Sequence, residues 1–127
     1  MATFGRYVSI PGLVATSTFA AKQYYLAKVS STAGAVKPAS SATSVIVGVV
    51  QNDAAANEVV DVACNGLAKA AAETSVSYGD ALTASTTGRV KTTTTNGHAI
   101  VGFALEASSS AGDIIRVLVS RGFYRST

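Results

Sequence analysis

Val45-Ile46-Val47-Gly48-Val49-Val50 returns as Ala99-Ile100-Val101-Gly102-Phe103-Ala104. Each run is apolar around one glycine. Each leads through small residues to an acid and an alternating stretch, Glu58-Val59-Val60-Asp61-Val62 in the first case and Asp113-Ile114-Ile115-Arg116-Val117 in the second. Each then meets a further glycine, Gly66 before Leu67 or Gly122 before Phe123. The copies are offset by 54 residues from Gly48 to Gly102, 55 from Glu58 to Asp113 and 56 from Gly66 to Gly122. They differ by single-residue insertions in connections, where an extra residue costs least. A duplicated strand-turn-strand unit is a scaffold, and nothing in it has the form of an active site.

Working outward, Val45–Val50 has the length of a strand buried on both faces or packed across an interface. Gly48 within it predicts a bulge or a close backbone approach. Gln23–Val29 is aromatic and β-branched and reads as a strand. Ser30–Ser44 reads as a long loop, and Asn52–Asn57 as a connection with room for one helical turn. Asn65-Gly66 and Asn96-Gly97 are tight-turn signals. Leu67–Ala72 fits a strand or an alanine-rich turn, because alanine also favours helix. Val76–Ala84, Ser85–Gly88 and Arg89–Lys91 form a strand, a turn and a strand, hence a hairpin. Residues 1–22 lack a clear period and carry Pro11-Gly12. They read as an extended N-terminal arm with a short strand at Tyr7–Ile10, ahead of a domain over residues 23–127. The fold class is mostly β: one small β-barrel-like domain with helix confined to short alanine-rich connections.

Composition narrows the function. At 127 residues the chain is one domain with one core. Charged residues make up 13%, against ~25% in average soluble domains, so Ser, Thr and Ala fill the surface. Such a surface suits close packing against other subunits. The net charge of +3 comes from dispersed basic residues, with Arg116, Arg121 and Arg125 the nearest to a group. No basic run with interleaved aromatics points to direct nucleic-acid binding. No apolar run of 18 residues spans a membrane. The stretch after Arg6 is too broken by Ser9, Pro11 and Gly12 to read as a signal peptide. Cys64, the only cysteine, reads as a small buried apolar residue.

Catalytic and metal-binding patterns are absent from the sequence. His98 stands alone beside Asn96-Gly97, as a solvated turn residue. No His/Cys spacing suits zinc, no phosphate loop carries its Lys, and no serine has a recognisable base partner. Neither an enzyme nor a cofactor is expected. A ligand-binding or adhesive module, such as a head-fibre base or a glycan-binding β-domain, is the alternative, with the Thr92–Thr95 tip and Tyr24-Tyr25 as its recognition residues.

Ala99–Ala107 with its Ser-rich turn and Asp113–Val119, Tyr78-Gly79-Asp80-Ala81-Leu82 followed by Thr87-Gly88-Arg89-Val90, and Val47-Gly48-Val49 upstream together resemble the capsid decoration (cement) proteins of tailed bacteriophages. The head decoration protein of phage lambda is similar in style. The resemblance covers about residues 23–120 and lies in the order and spacing of the motifs. It implies a β-tulip fold, a homo-oligomer (a trimer before a dimer), and a place on the outer face of an expanded phage head after synthesis in the host cytoplasm. It also implies an N-terminal arm, here residues 1–12, that completes a strand with the major capsid protein. Phe4, Arg6, Tyr7, Val8 and Ile10 are the expected capsid contacts. The long N-terminal region and the Arg121–Thr127 tail depart from that pattern.

Overall fold

A computed structural model describes residues 7–10, 12–16 and 22–124. They form ten strands: β1 Tyr7–Ile10, β2 Val14–Ala15, β3 Leu26–Val29, β4 Ala35–Pro38, β5 Ile46–Val50, β6 Val62–Ala71, β7 Ala81–Ala84, β8 Val90–Thr92, β9 Ala99–Ala104 and β10 Ile114–Phe123. No helix occurs among the described residues. All ten strands belong to one sheet in the order β2-β4-β3-β5-β6-β10-β9-β7-β8, and β1 pairs with β6 beside that path. The ladder is open, yet both of its ends are bonded back toward the middle. Ala15 donates to the Glu58 carbonyl at 3.0 Å, and Val60 donates to that of Leu13 at 2.9 Å. At the other end Glu73 donates to the Val90 carbonyl at 2.7 Å. The result is a small β domain that curves as a barrel does without a continuous ring of strands.

Several local expectations change. The Ser30–Ser44 loop contains β4. Asn65-Gly66 is not a turn but lies inside β6, where Gly66 takes φ 102 and pairs with both Tyr7 and Val119. The positive φ that the dipeptide tolerates is used here to bend a strand. Leu67–Ala71 is strand because β10 pairs with it and Ala68 and Ala70 are buried, which overrides alanine's helix preference. The connection before Glu58 reverses at Asn57, φ 71, without a helical turn. The β7–β8 hairpin forms as expected, with Leu82 opposite Thr92 and Ala84 opposite Val90.

The duplication extends further than the sequence shows. β3-β4-β5-β6 and β7-β8-β9-β10 are the same unit in two settings. Ala27 opposite Gly48 matches Leu82 opposite Gly102, and Lys28 opposite Lys37 matches Thr83 opposite Lys91. Val50 opposite Val62 matches Ala104 opposite Val117. Loop bonds repeat as well: Tyr24 to the Val50 carbonyl (2.7 Å) matches Gly79 to that of Ala104 (2.8 Å). The acid of each copy closes its own connection, Glu58 accepting from the Ala55 amide and Asp113 from the Ser110 amide. The Ser109 and Ser110 amides also hold the Asp113 carboxyl below the usual carboxylate range. Even the closing strand recurs: β2 runs parallel to β4 at Val36, as Ala72 does to β8 at Val90.

Each copy carries a core of matching residues. Ala15, Ala27, Val36, Val50, Val60 and Val62 gather in the first. Their counterparts Ala72, Leu82, Val90, Ala104, Ile115 and Val117 belong to the second, larger core. The two repeated glycines have one shared reason. A Cβ on Gly48 would overlap the Ala63 carbonyl, and a Cβ on Gly102 would overlap that of Leu118, which is the residue matching Ala63. Backbone cannot yield there as a flexible side chain could. Gly48→Ala and Gly102→Ala are each expected to destabilise the fold by about 3 kcal/mol or more. Gly122→Ala, with open space around it, should change stability by less than about 0.5 kcal/mol. Urea melts of the three variants check this, and a mild Gly102→Ala would contradict the close approach.

Candidate docking surfaces

The expected arm residues that are described lie on β1, antiparallel to β6. Tyr7 stands opposite Gly66, Val8 opposite Asn65, and Ile10 opposite Val62, with an irregularity between Val8 and Ser9. Phe4 and Arg6 lie outside the described residues. Alternation along the strand separates the roles of the others. Tyr7 packs on the larger core and donates its hydroxyl to Asp61 Oδ2 at 2.6 Å. Burial, then the bond to Asp61, pushes its pKa up from 10.0 to about 12. Ile10 is half-buried. Val8 is 62% exposed and turns its side chain to solvent. Its carbonyl accepts from the Cys64 thiol at 3.3 Å. Cys64 is thus half-buried under β1, more open than its sequence suggests, whereas its counterpart Val119 is fully buried.

A second surface was not legible in the sequence. Across β7, β9, β10 and β6 runs a row of directly opposed residues: Ala81, Phe103, Leu118 and Leu67. Phe103 and Leu118 are each 42% exposed. Beside them Ile100, Gly122, Phe123 and Tyr124 line an open groove of ≈ 350 Å³, with Phe123 projecting into solvent. β10 carries the signal for it. Its inner residues Ile115, Val117 and Val119 alternate with Ile114, Arg116, Leu118 and Ser120, of which Ile114 and Leu118 are exposed and apolar. A strand with one solvated face would place polar residues there.

Of the expected recognition residues of an adhesive module, Thr94 and Thr95 are exposed and the others are less available. Thr92 donates to Asp80 Oδ2 at 2.8 Å, and Thr93 is buried against His98 Nδ1 at 2.7 Å. His98 is therefore held by Thr93, half-buried, and not simply solvated. Tyr24 and Tyr25 are half-buried, Lys69 Nζ lying 5.9 Å from the Tyr24 ring. Among the described residues no three His, Cys, Asp or Glu side chains gather to hold a metal ion.

Residues 14–120 match the phage cement protein family. The chain is also similar to the N base of head fiber gp8.5 of bacteriophage phi29, with a TM-score of 0.70 at 19% identity over 94% of this chain and 98% of that one. That likeness is one of fold. No curated protein matches the chain.

The Tyr7 hydroxyl yields a pH test. A phenol whose folded pKa lies above its unfolded value keeps its proton longer when folded. Stability is then fully present below pH 10 and falls as pH rises through about 12. Tyr7→Phe should cost about 1 kcal/mol at neutral pH through the lost bond. It should also flatten the alkaline decline, read from thermal melts between neutral pH and pH 12. An unchanged decline would place its origin elsewhere.

Proposed function

This chain belongs to the phage cement protein family, whose members are structural proteins of the phage head, and on that premise we propose that it binds the outer surface of an expanded head and stabilises it by bridging capsomers, without catalysis. The match over residues 14–120 carries this reading. β1 lies outside the matched segment and is bonded, among the described residues, only to β6. Its second edge suits strand addition by a capsid segment, in which main-chain hydrogen bonds supply affinity and alternate side chains supply specificity. Val8, exposed on β1, is the side chain proposed for that contact; Phe4 and Arg6 belong to the same proposed contact set and lie outside the described residues. Tyr7 anchors the strand to its own domain.

Bridging stabilises by mass action. A protein that binds only the expanded shell adds about 2.7 kcal/mol per site when present at 100 times its Kd. An oligomer, a trimer by family resemblance, presents several arms at once and raises the effective concentration of each, so a weak single contact suffices. The reading as a base for a head fibre draws on the fold shared with the phi29 fibre base.

Co-sedimentation of the purified protein with expanded, undecorated heads tests the proposal. Saturable binding with raised heat resistance of the shells is expected, and no binding would end the cement reading. Val8→Glu should keep its melting curve and bind at least about tenfold more weakly, since a carboxylate would be desolvated without a partner. Undiminished binding by Val8→Glu would move the contact off β1.

A further inference from the structure

The two copies share a backbone but not an exposure pattern, and the differences are complementary. The row across β3, β5 and β6 is Leu26, Val49 and Ala63, all fully buried. Its counterpart row in the second copy is Ala81, Phe103 and Leu118, uncovered as described above. Leu26, Val49 and Ala63 are buried because they form part of the second copy's core. The first copy thus presents its outer face to the second, while among the described residues the second copy's own outer face stays partly open, with Phe103 and Leu118 each 42% exposed.

The opposite end shows the reverse. In the second copy, the hairpin end at Ala84, Gly88 and Ala99 is covered by the first. Leu26 donates to the Gly88 carbonyl and Ala99 to that of Ala42, both at 2.7 Å. A Cβ on Gly88 would lie 3.1 Å from the Ala39 carbonyl. The counterparts in the first copy are Val29, Gly34 and Val45. Val29 is 49% exposed, Val45 is 65% exposed, and nothing lies within 4 Å of a Cβ on Gly34. Among the described residues one chain therefore carries a filled joint between its halves, plus two partly open faces of the same joint, the Val45 face bordering a cleft with Ala99 and Phe123.

We propose that the Phe103–Leu118 face of one chain seats the Val29–Val45 end of a second copy, repeating between chains the contact that joins the halves within one. The occupant is a second copy because each open face has its covering surface already present, in covered form, in the same chain. The contact is heterologous: two different surfaces meet, and successive copies form a ring if the rotation closes. It supplies an interface for the oligomer invoked above, without resting on head binding.

Sedimentation velocity in solution, with no shells present, decides it. The full chain should sediment as an oligomer that dissociates on dilution. Leu118→Glu and Val45→Glu each spoil one face, and each should weaken association about 100-fold or more while leaving the β spectrum and melt unchanged. Each variant keeps the face that the other has lost. An equimolar mixture should therefore recover a heterodimer and nothing larger. A wild-type chain that stays monomeric at the highest soluble concentration would overturn the proposal. So would a mixture that stays monomeric, or single variants that assemble as the wild type does.

Discussion

The structure depends on one strand serving two cores. β6 turns Val62 toward the smaller core and Ala63, Ala68 and Ala70 toward the larger. The bend at Gly66 accompanies a change of partner, since β1 pairs up to that point and β10 from it onward. Small side chains are required on this wall, because alanine lets sheet backbones approach where valine would hold them apart. Among the described residues the smaller core holds seven buried side chains and the larger eighteen. Seven alanine and valine side chains are too few to hold a domain alone, so the first half stands by leaning on the second.

Half of the duplication was legible in the sequence and half was hidden. The runs around Gly48 and Gly102 announce themselves because a close backbone approach admits one residue type, and burial on both sides admits few others. The hairpins before them share little sequence, yet their registers coincide. Tyr24 and Gly79 take the same positive φ, 73 and 89, at equivalent places, as do Asn57 and Gly112 at 71 and 89. These positions are defined by backbone bonds, and different residues meet the same backbone demand. Sequence self-similarity fades there while structural equivalence persists. Asn65-Gly66 shows the converse: the dipeptide reports a tolerated φ, and the neighbouring strands decide whether that φ makes a turn or a bulge.

The docking surfaces divide in the same way. Val8 and Tyr7 are two residues of one short strand, and only the pairing register separates an exposed valine from a tyrosine tied to Asp61. The sequence named the strand without its register. Leu118 and Phe103 lie in segments whose apolar content was plain, but burial on both faces and exposure on one give the same pattern when a partner is absent. Distinguishing them requires knowing which strands stand on either side.

Duplication followed by divergence gives these exposures a physical direction. Where the first copy packs against the second, its face carries Leu26, Val49 and the small Ala63, trimmed to fit a wall that is always present. Where the second copy faces outward, the matching places carry Ala81, Phe103 and Leu118, the last two larger than their counterparts and the first smaller. A solvated sheet face gains nothing from added apolar bulk and loses solubility by it. A face that is covered part of the time gains from each additional buried methylene, about 0.8 kcal/mol at full burial. Large apolar residues on a weakly charged surface therefore mark where covering matters. In a head-surface protein that is the surface on which, under the proposed association, stability and assembly would be the same quantity.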